Sequence, residues 1–129
     1  MSCATFQTLH DATTTRHARP RCGAAHVEVS AGLPVRADLA VDPRRFRGIL
    51  ARQIRQDTWR KLARVRGLLP IVTVCGGPGT DAPLTVTLGA RLAGSQQASA
   101  YVRSVLARVL TEDGHIQRWL RHAERVARC

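Results

Sequence analysis

Alternating apolar and polar residues mark two pairs of predicted β-strands along the chain. In the first pair, residues 26–30 and 35–41 place apolar side chains at every second position, and a Gly-Leu-Pro segment separates them. In the second pair, the β-branched run 70–75 and the alternating run 84–92 flank a loop at 76–83 that is rich in glycine and proline. Such alternation is typical of strands with one buried face. Each pair is therefore predicted to form a β-hairpin.

Three other segments have apolar residues at helical spacing. Asp42 suits an N-cap and Pro43 a first helical position, so the apolar residues that follow predict a helix over 43–66. Two further helices are predicted, one over 94–110 and one that begins after Asp113-Gly114.

The predicted order ββα–ββα–α indicates an α+β fold. Its simplest assembly is a two-layer sandwich, in which an antiparallel four-stranded sheet carries the helices on one face. Polar strand residues such as Thr73, Thr87 and Arg91 would line the other face. Residues 1–23 lack apolar periodicity, so we expect a flexible N-terminal segment followed by a single domain over 24–129. A targeting segment is the alternative for residues 1–23, because they are rich in Thr, Ser, Ala and Arg.

Length and composition exclude several classes of protein. The 129 residues are 44% hydrophobic, which is too apolar for a disordered chain. The longest apolar run is far shorter than the ~20 residues of a membrane span, so no integral membrane association is expected. No apolar stretch typical of a secretory signal begins the sequence. The four cysteines include no CxxC pair and are predicted to be free thiols of a cytoplasmic protein.

Positive charge is concentrated in the first predicted helix. The chain has a formal net charge of +11. Residues 43–66 hold nine basic residues and one acid, Asp57, which gives +8 within that segment. Such a segment attracts nucleic acid, an anionic lipid surface or an acidic protein. An ordinary solvated helix, enriched in arginine by GC-rich coding, is the alternative.

We therefore predict a small, basic, non-enzymatic binding protein that docks an arginine-rich helix on nucleic acid or a ribonucleoprotein surface. Guanidinium groups bind phosphates through paired hydrogen bonds, and a tryptophan can stack on a base. The candidate contact residues are Arg44, Arg45, Arg47, Arg52, Arg55, Trp59, Arg60, Lys61 and Arg64. The alternative is an adaptor or accessory subunit that binds an acidic protein partner and buries Ile49 and Trp59 in the interface.

Other candidate chemistry is weaker. The loop that begins at Gly76 lacks the GK[ST] of a phosphate-binding loop and precedes a strand, so it is predicted to be a hairpin connection. The spacing of His10, His17, Cys22 and His26 matches no common zinc site. The acids show no pairing suited to general acid–base catalysis. No cofactor, metal or catalytic residue is expected.

The last predicted helix carries a second group of basic side chains. His115 and His122 lie seven residues apart, roughly on one side of that helix. With Arg118 and Arg121 they would form a cationic face at low pH. Exposed surface histidines without a ligand are the simpler interpretation.

Overall fold

Three long antiparallel strands and a short fourth one form the sheet in the computed structural model, which describes residues 3–6, 24–36, 38–65, 67–93 and 96–129. Along the chain, the elements are β1 (Cys3–Phe6), β2 (Ala24–Gly32), α1 (Pro43–Lys61), β3 (Leu69–Cys75), β4 (Thr85–Ala93), α2 (Gln96–Thr111) and α3 (Asp113–Ala127). The general α+β class predicted from the sequence is confirmed.

The sheet order is β1-β3-β4-β2, and all three pairings are antiparallel. The second predicted hairpin is confirmed, because β3 pairs with β4 and sets Val72 opposite Leu88. The first predicted hairpin is wrong. Its first strand became β2, which pairs with β4 and sets Val29 opposite the same Leu88. The predicted four-stranded sheet of two hairpins is therefore not confirmed.

Residues 35–41 do not form a strand in the part of that segment that the structure describes. The Leu33 N–H donates to the Leu84 carbonyl at 2.9 Å, and the chain then leaves the sheet at Pro34. Val35 and Leu39 are half-buried against the core from a loop, and Val41 makes an isolated bridge to Arg128. The alternation that predicted a strand thus reflects apolar side chains packed from an irregular segment.

The N-terminal prediction covers residues that the structure describes only in part. Cys3–Phe6, expected within the loose lead-in, forms β1 and pairs with β3 in a register that sets Cys3 opposite Cys75. Residues 7–23 lie outside the described residues.

One face of the sheet carries the core. Along β3, the side chains alternate between half-buried and buried, and Val72 and Val74 are fully buried. α1 packs against β3 and β1, α2 packs against β2 and β4, and α3 packs against α1. On the opposite face, Glu28 and Arg91 are exposed and Thr87 is half-buried, as the polar alternation of the strands predicted.

α1 begins where the sequence predicted and ends earlier. Asp42 is its N-cap, and its Oδ1 accepts the backbone N–H groups of Arg44 at 3.1 Å and Arg45 at 3.4 Å. The predicted end near residue 66 is wrong, because the helix stops at Lys61. The next residue, Leu62, is the C-cap: its backbone N–H donates to the Thr58 and Trp59 carbonyls, and its side chain is buried.

Candidate nucleic-acid interface

α1 divides sharply into a core face and an outer face. Phe46, Leu50 and Ile54 are fully buried, at spacings of four residues. Residues on the opposite side of the helix reach solvent, and Arg45 and Arg52 are exposed. Because 3.6 residues make one turn, this spacing fixes which side chains can meet a partner.

The outer face of α1 carries two arginines and a tryptophan in line. Arg45, Arg52 and Trp59 are separated by seven residues each, which is about two helical turns. Trp59 is 49% exposed, an unusual state for so large an apolar ring. Ile49 lies near the same line, but it is half-buried and packs against the core. A partner laid along this line would meet cationic and aromatic groups together.

Most of the other predicted contact residues lie near the ends of α1. Arg44, Arg60, Lys61 and Arg64 are exposed. Arg55 is half-buried, and both Arg55 and Arg52 take part in contacts within the protein. These side chains extend the positive surface around the outer face rather than along one narrow stripe.

Arg47 does not belong to that surface. It is 6% exposed, and its guanidinium donates to the carbonyl oxygens of Gly76 and Pro78, each at 3.3 Å. Both acceptors belong to the loop between β3 and β4, which forms the hairpin connection predicted from the sequence. Arg47 therefore holds this loop against α1, and its guanidinium is not available to a partner.

The acid within α1 is also turned inward. The Asp57 side chain is 13% exposed, and its Oδ2 accepts the indole N–H of Trp119 at 2.7 Å and an N–H of Arg118. Trp119 is itself fully buried on α3, where its ring stacks on His115 with centroids 5.9 Å apart. Asp57 thus joins α1 to α3 and leaves the outer face of α1 without a carboxylate.

Other carboxylates also serve local structure. Asp42 caps α1, and Glu112 pairs with His115 at 3.0 Å. Oε1 of Glu124 lies 3.9 Å from Nη2 of Arg36. Asp42, Glu112 and Glu124 each have a local partner in the described part of the chain.

A second cationic group lies on α3. Arg118, Arg121, His122 and Arg125 line a depression of about 270 Å³. Arg125 donates to His122 Nδ1 at 3.2 Å. Three of these residues belong to the cationic face predicted from the sequence. Arg125 was not predicted, although its spacing of seven from Arg118 places both on the same side of the helix.

The described residues contain no group of three or more side chains suited to hold a metal ion. His26, considered as a zinc ligand, lies on β2 and contacts Glu28 at 3.2 Å. His10, His17 and Cys22 lie outside the described residues. No helix among those described is long and apolar enough to span a membrane.

The prediction of free thiols is wrong for Cys75, which is disulfide-bonded. Cys129 is free and exposed, as predicted. The spacing of cysteines along the chain does not show which of them meet in the sheet, and the β1–β3 register sets Cys3 opposite Cys75.

Comparison with protein-family models, curated proteins and solved structures finds no match to this chain.

Proposed function

We propose that this protein is a non-enzymatic binding protein that docks the outer face of α1 on nucleic acid or on a ribonucleoprotein surface. The proposed contacts are Arg44, Arg45, Arg52, Arg55, Trp59, Arg60, Lys61 and Arg64. Arg47 is left out, because its guanidinium is buried against the loop at 76–83. A cytoplasmic location belongs to the same proposal, although the disulfide of Cys75 is unusual for that compartment.

The observation that carries this proposal is the line of Arg45, Arg52 and Trp59 on an outer face that holds no carboxylate. Guanidinium groups form paired, charge-assisted hydrogen bonds with phosphate oxygens. The 19 residues of α1 make a helix of about 28 Å, which exceeds the ~12 Å width of a major groove. Such a helix can contact phosphates of both strands, or several successive phosphates of one strand.

Trp59 favours an unpaired strand as the partner. Stacking of a base on an aromatic side chain contributes about 1–3 kcal/mol, and bases within a duplex have no free face to offer. The exposed indole is flanked by Arg60 and lies one turn from Arg55. A base could therefore stack on the ring while the neighbouring guanidinium groups hold the adjacent phosphates.

Fluorescence anisotropy with labelled single- and double-stranded oligonucleotides tests the proposal, between about 50 and 300 mM salt. We expect affinity to fall linearly with salt on logarithmic axes, because phosphate contacts release counterions. The variant R45E/R52E/R60E should lose at least about tenfold in affinity. A matched control, R91E/R103E/R108E, makes the same change in net charge at exposed positions outside α1.

The comparison between the two variants separates a docking surface from a diffuse charge effect. Equal losses in both would contradict a site on α1, and so would an absence of binding at the lowest salt. Circular dichroism of each variant checks that the fold is retained.

A second candidate function is that of an adaptor for an acidic protein, and the exposure of Trp59 favours it. Large exposed aromatic rings often become the buried centre of a protein interface. In that case W59A should weaken binding more than any single arginine substitution. The affinity would also tolerate salt better than phosphate contacts do, because an apolar centre is not screened.

A further inference from the structure

The depression on α3 carries an unusual density of positive charge. Arg118, Arg121 and Arg125 line it within two turns, and His122 completes the wall. We infer that this depression is a binding site for a phosphate group. The inference rests on the proposed function in one respect, namely that a phosphate of the docked nucleic acid is one source of the ligand.

Two of the three arginines are held in place by the protein. Arg118 donates to Asp57, whose carboxylate is nearly buried between α1 and α3. Arg125 donates to His122 Nδ1 at 3.2 Å. A guanidinium has five N–H donors, so one such bond orients the group and leaves other donors for a ligand. Part of the conformational cost of ordering these long side chains is thereby met before binding.

The charge around the depression favours an anion with several oxygens. Asp57 offsets one of the three guanidinium charges, which leaves an excess of about two positive charges from the arginines. Glu124, on another side of α3, lies against Arg36. A carboxylate has two oxygens, which a single arginine fork satisfies. Three guanidinium groups and an imidazole instead match the oxygens of a phosphate.

The location connects this depression to the proposed interface. The contact between Asp57 and Arg118 sets the basic side chains of α3 beside the C-terminal half of α1. Trp59 and Arg60 belong to that half. A backbone phosphate of a strand docked on α1, or a free or terminal phosphate, is the ligand that this depression would take.

NMR of the full chain tests the inference with inorganic pyrophosphate as the probe. The indole N–H signals of Trp119 and Trp59 report on the two surfaces separately, because Trp119 bonds to Asp57 beside Arg118 whereas Trp59 lies on the outer face of α1. We expect pyrophosphate to move the Trp119 signal and the His122 ring signals, with the Trp59 signal unchanged. R121Q/R125Q should weaken this binding at least about fivefold. R103Q/R108Q on α2 should leave it unchanged.

An unmoved Trp119 signal would overturn the inference, as would wild-type affinity in R121Q/R125Q. A second titration uses an oligonucleotide without terminal phosphates. If it also moves the Trp119 signal, and R121Q/R125Q removes that movement, the site takes a backbone phosphate. If only pyrophosphate moves the Trp119 signal, the site takes a free or terminal phosphate. Failure of the proposed function is a different result, in which the oligonucleotide leaves the Trp59 signal unmoved while pyrophosphate still binds α3.

Discussion

Trp119 on α3 donates its indole N–H to Asp57 on α1, with 2.7 Å between the indole nitrogen and Oδ2. The two residues are separated by 62 positions in sequence, and their bond fixes α3 against α1, the helix that carries seven of the chain's 20 basic residues. Because the indole ring is fully buried, water cannot replace Asp57 as the acceptor of its N–H.

Asp57→Ala is therefore expected to lower the free energy of unfolding by about 2–3 kcal/mol, since it leaves a buried donor without an acceptor. Asp57→Asn keeps an acceptor oxygen and should cost about 1 kcal/mol or less. Urea denaturation followed by tryptophan fluorescence measures both. Equal effects of the two substitutions would show that the hydrogen bond to Trp119 is not what Asp57 contributes.

Arg47→Met is expected to destabilise the fold by about 1–3 kcal/mol, because the Gly76 and Pro78 carbonyls would lose their guanidinium donor in a buried setting. The exposed Arg45→Met is the matched control and should change stability by no more than about 0.5 kcal/mol. Oligonucleotide affinity should respond in the opposite order, with a loss for Arg45→Met and none for folded Arg47→Met. A large loss of affinity in folded Arg47→Met would show that Arg47 does contact the nucleic acid.

Gly76→Ala should destabilise the protein by about 3 kcal/mol or more. Gly76 has a φ of +77°, and an added Cβ would lie 2.2 Å from the Pro83 carbonyl oxygen, which is backbone and cannot move aside. Gly114→Ala is the control, since its Cβ would meet nothing within 4 Å and it lies in the first turn of α3. That substitution should stabilise the protein by about 0.5–1 kcal/mol. Thermal denaturation of the two variants compares them directly.

Alkylation distinguishes the two described states of cysteine. In denaturant without reductant, iodoacetamide should label Cys129 and spare Cys75, and reductant should expose Cys75 to labelling. Peptide mass mapping identifies the labelled cysteines and the cysteine bonded to Cys75. The register of β1 and β3 sets Cys3 opposite Cys75. Reduction should lower the free energy of unfolding by about 2–4 kcal/mol. Labelling of Cys75 before reduction would show that it is a free thiol, and would fit a reducing cytoplasm.

Local signals in the sequence were sufficient for much of the fold. Asp42 and Pro43 predicted the start of α1, and the alternation in β3 and β4 predicted their hairpin. Those features depend on neighbouring residues, so a single sequence reveals them. The pairing of β2 with β4 joins residues about sixty positions apart, and nothing in the β2 segment indicates which strand it will meet.

Contacts between distant residues of the candidate site were likewise not predictable from the sequence. Trp59 was predicted as a contact residue, and it is exposed on the side of α1 opposite the buried Phe46 and Leu50. The burial of Arg47 could not be inferred, because its acceptors are backbone carbonyls 29 and 31 positions away. Backbone acceptors exist at every residue and leave no mark in the sequence.

The structural roles of Asp42 and Asp57 have a practical consequence for handling this protein. Asp42 and Asp57 maintain a helix start and a helix contact, whereas exposed basic residues such as Arg45 and Lys61 contribute charge and little packing. Exposed basic residues of this kind can therefore be replaced without loss of the contacts that Asp42 and Asp57 make. Replacing exposed arginines by glutamine would lower the isoelectric point in steps while the core stays intact. Such a series would yield samples suited to crystallisation and free of contaminating polyanions.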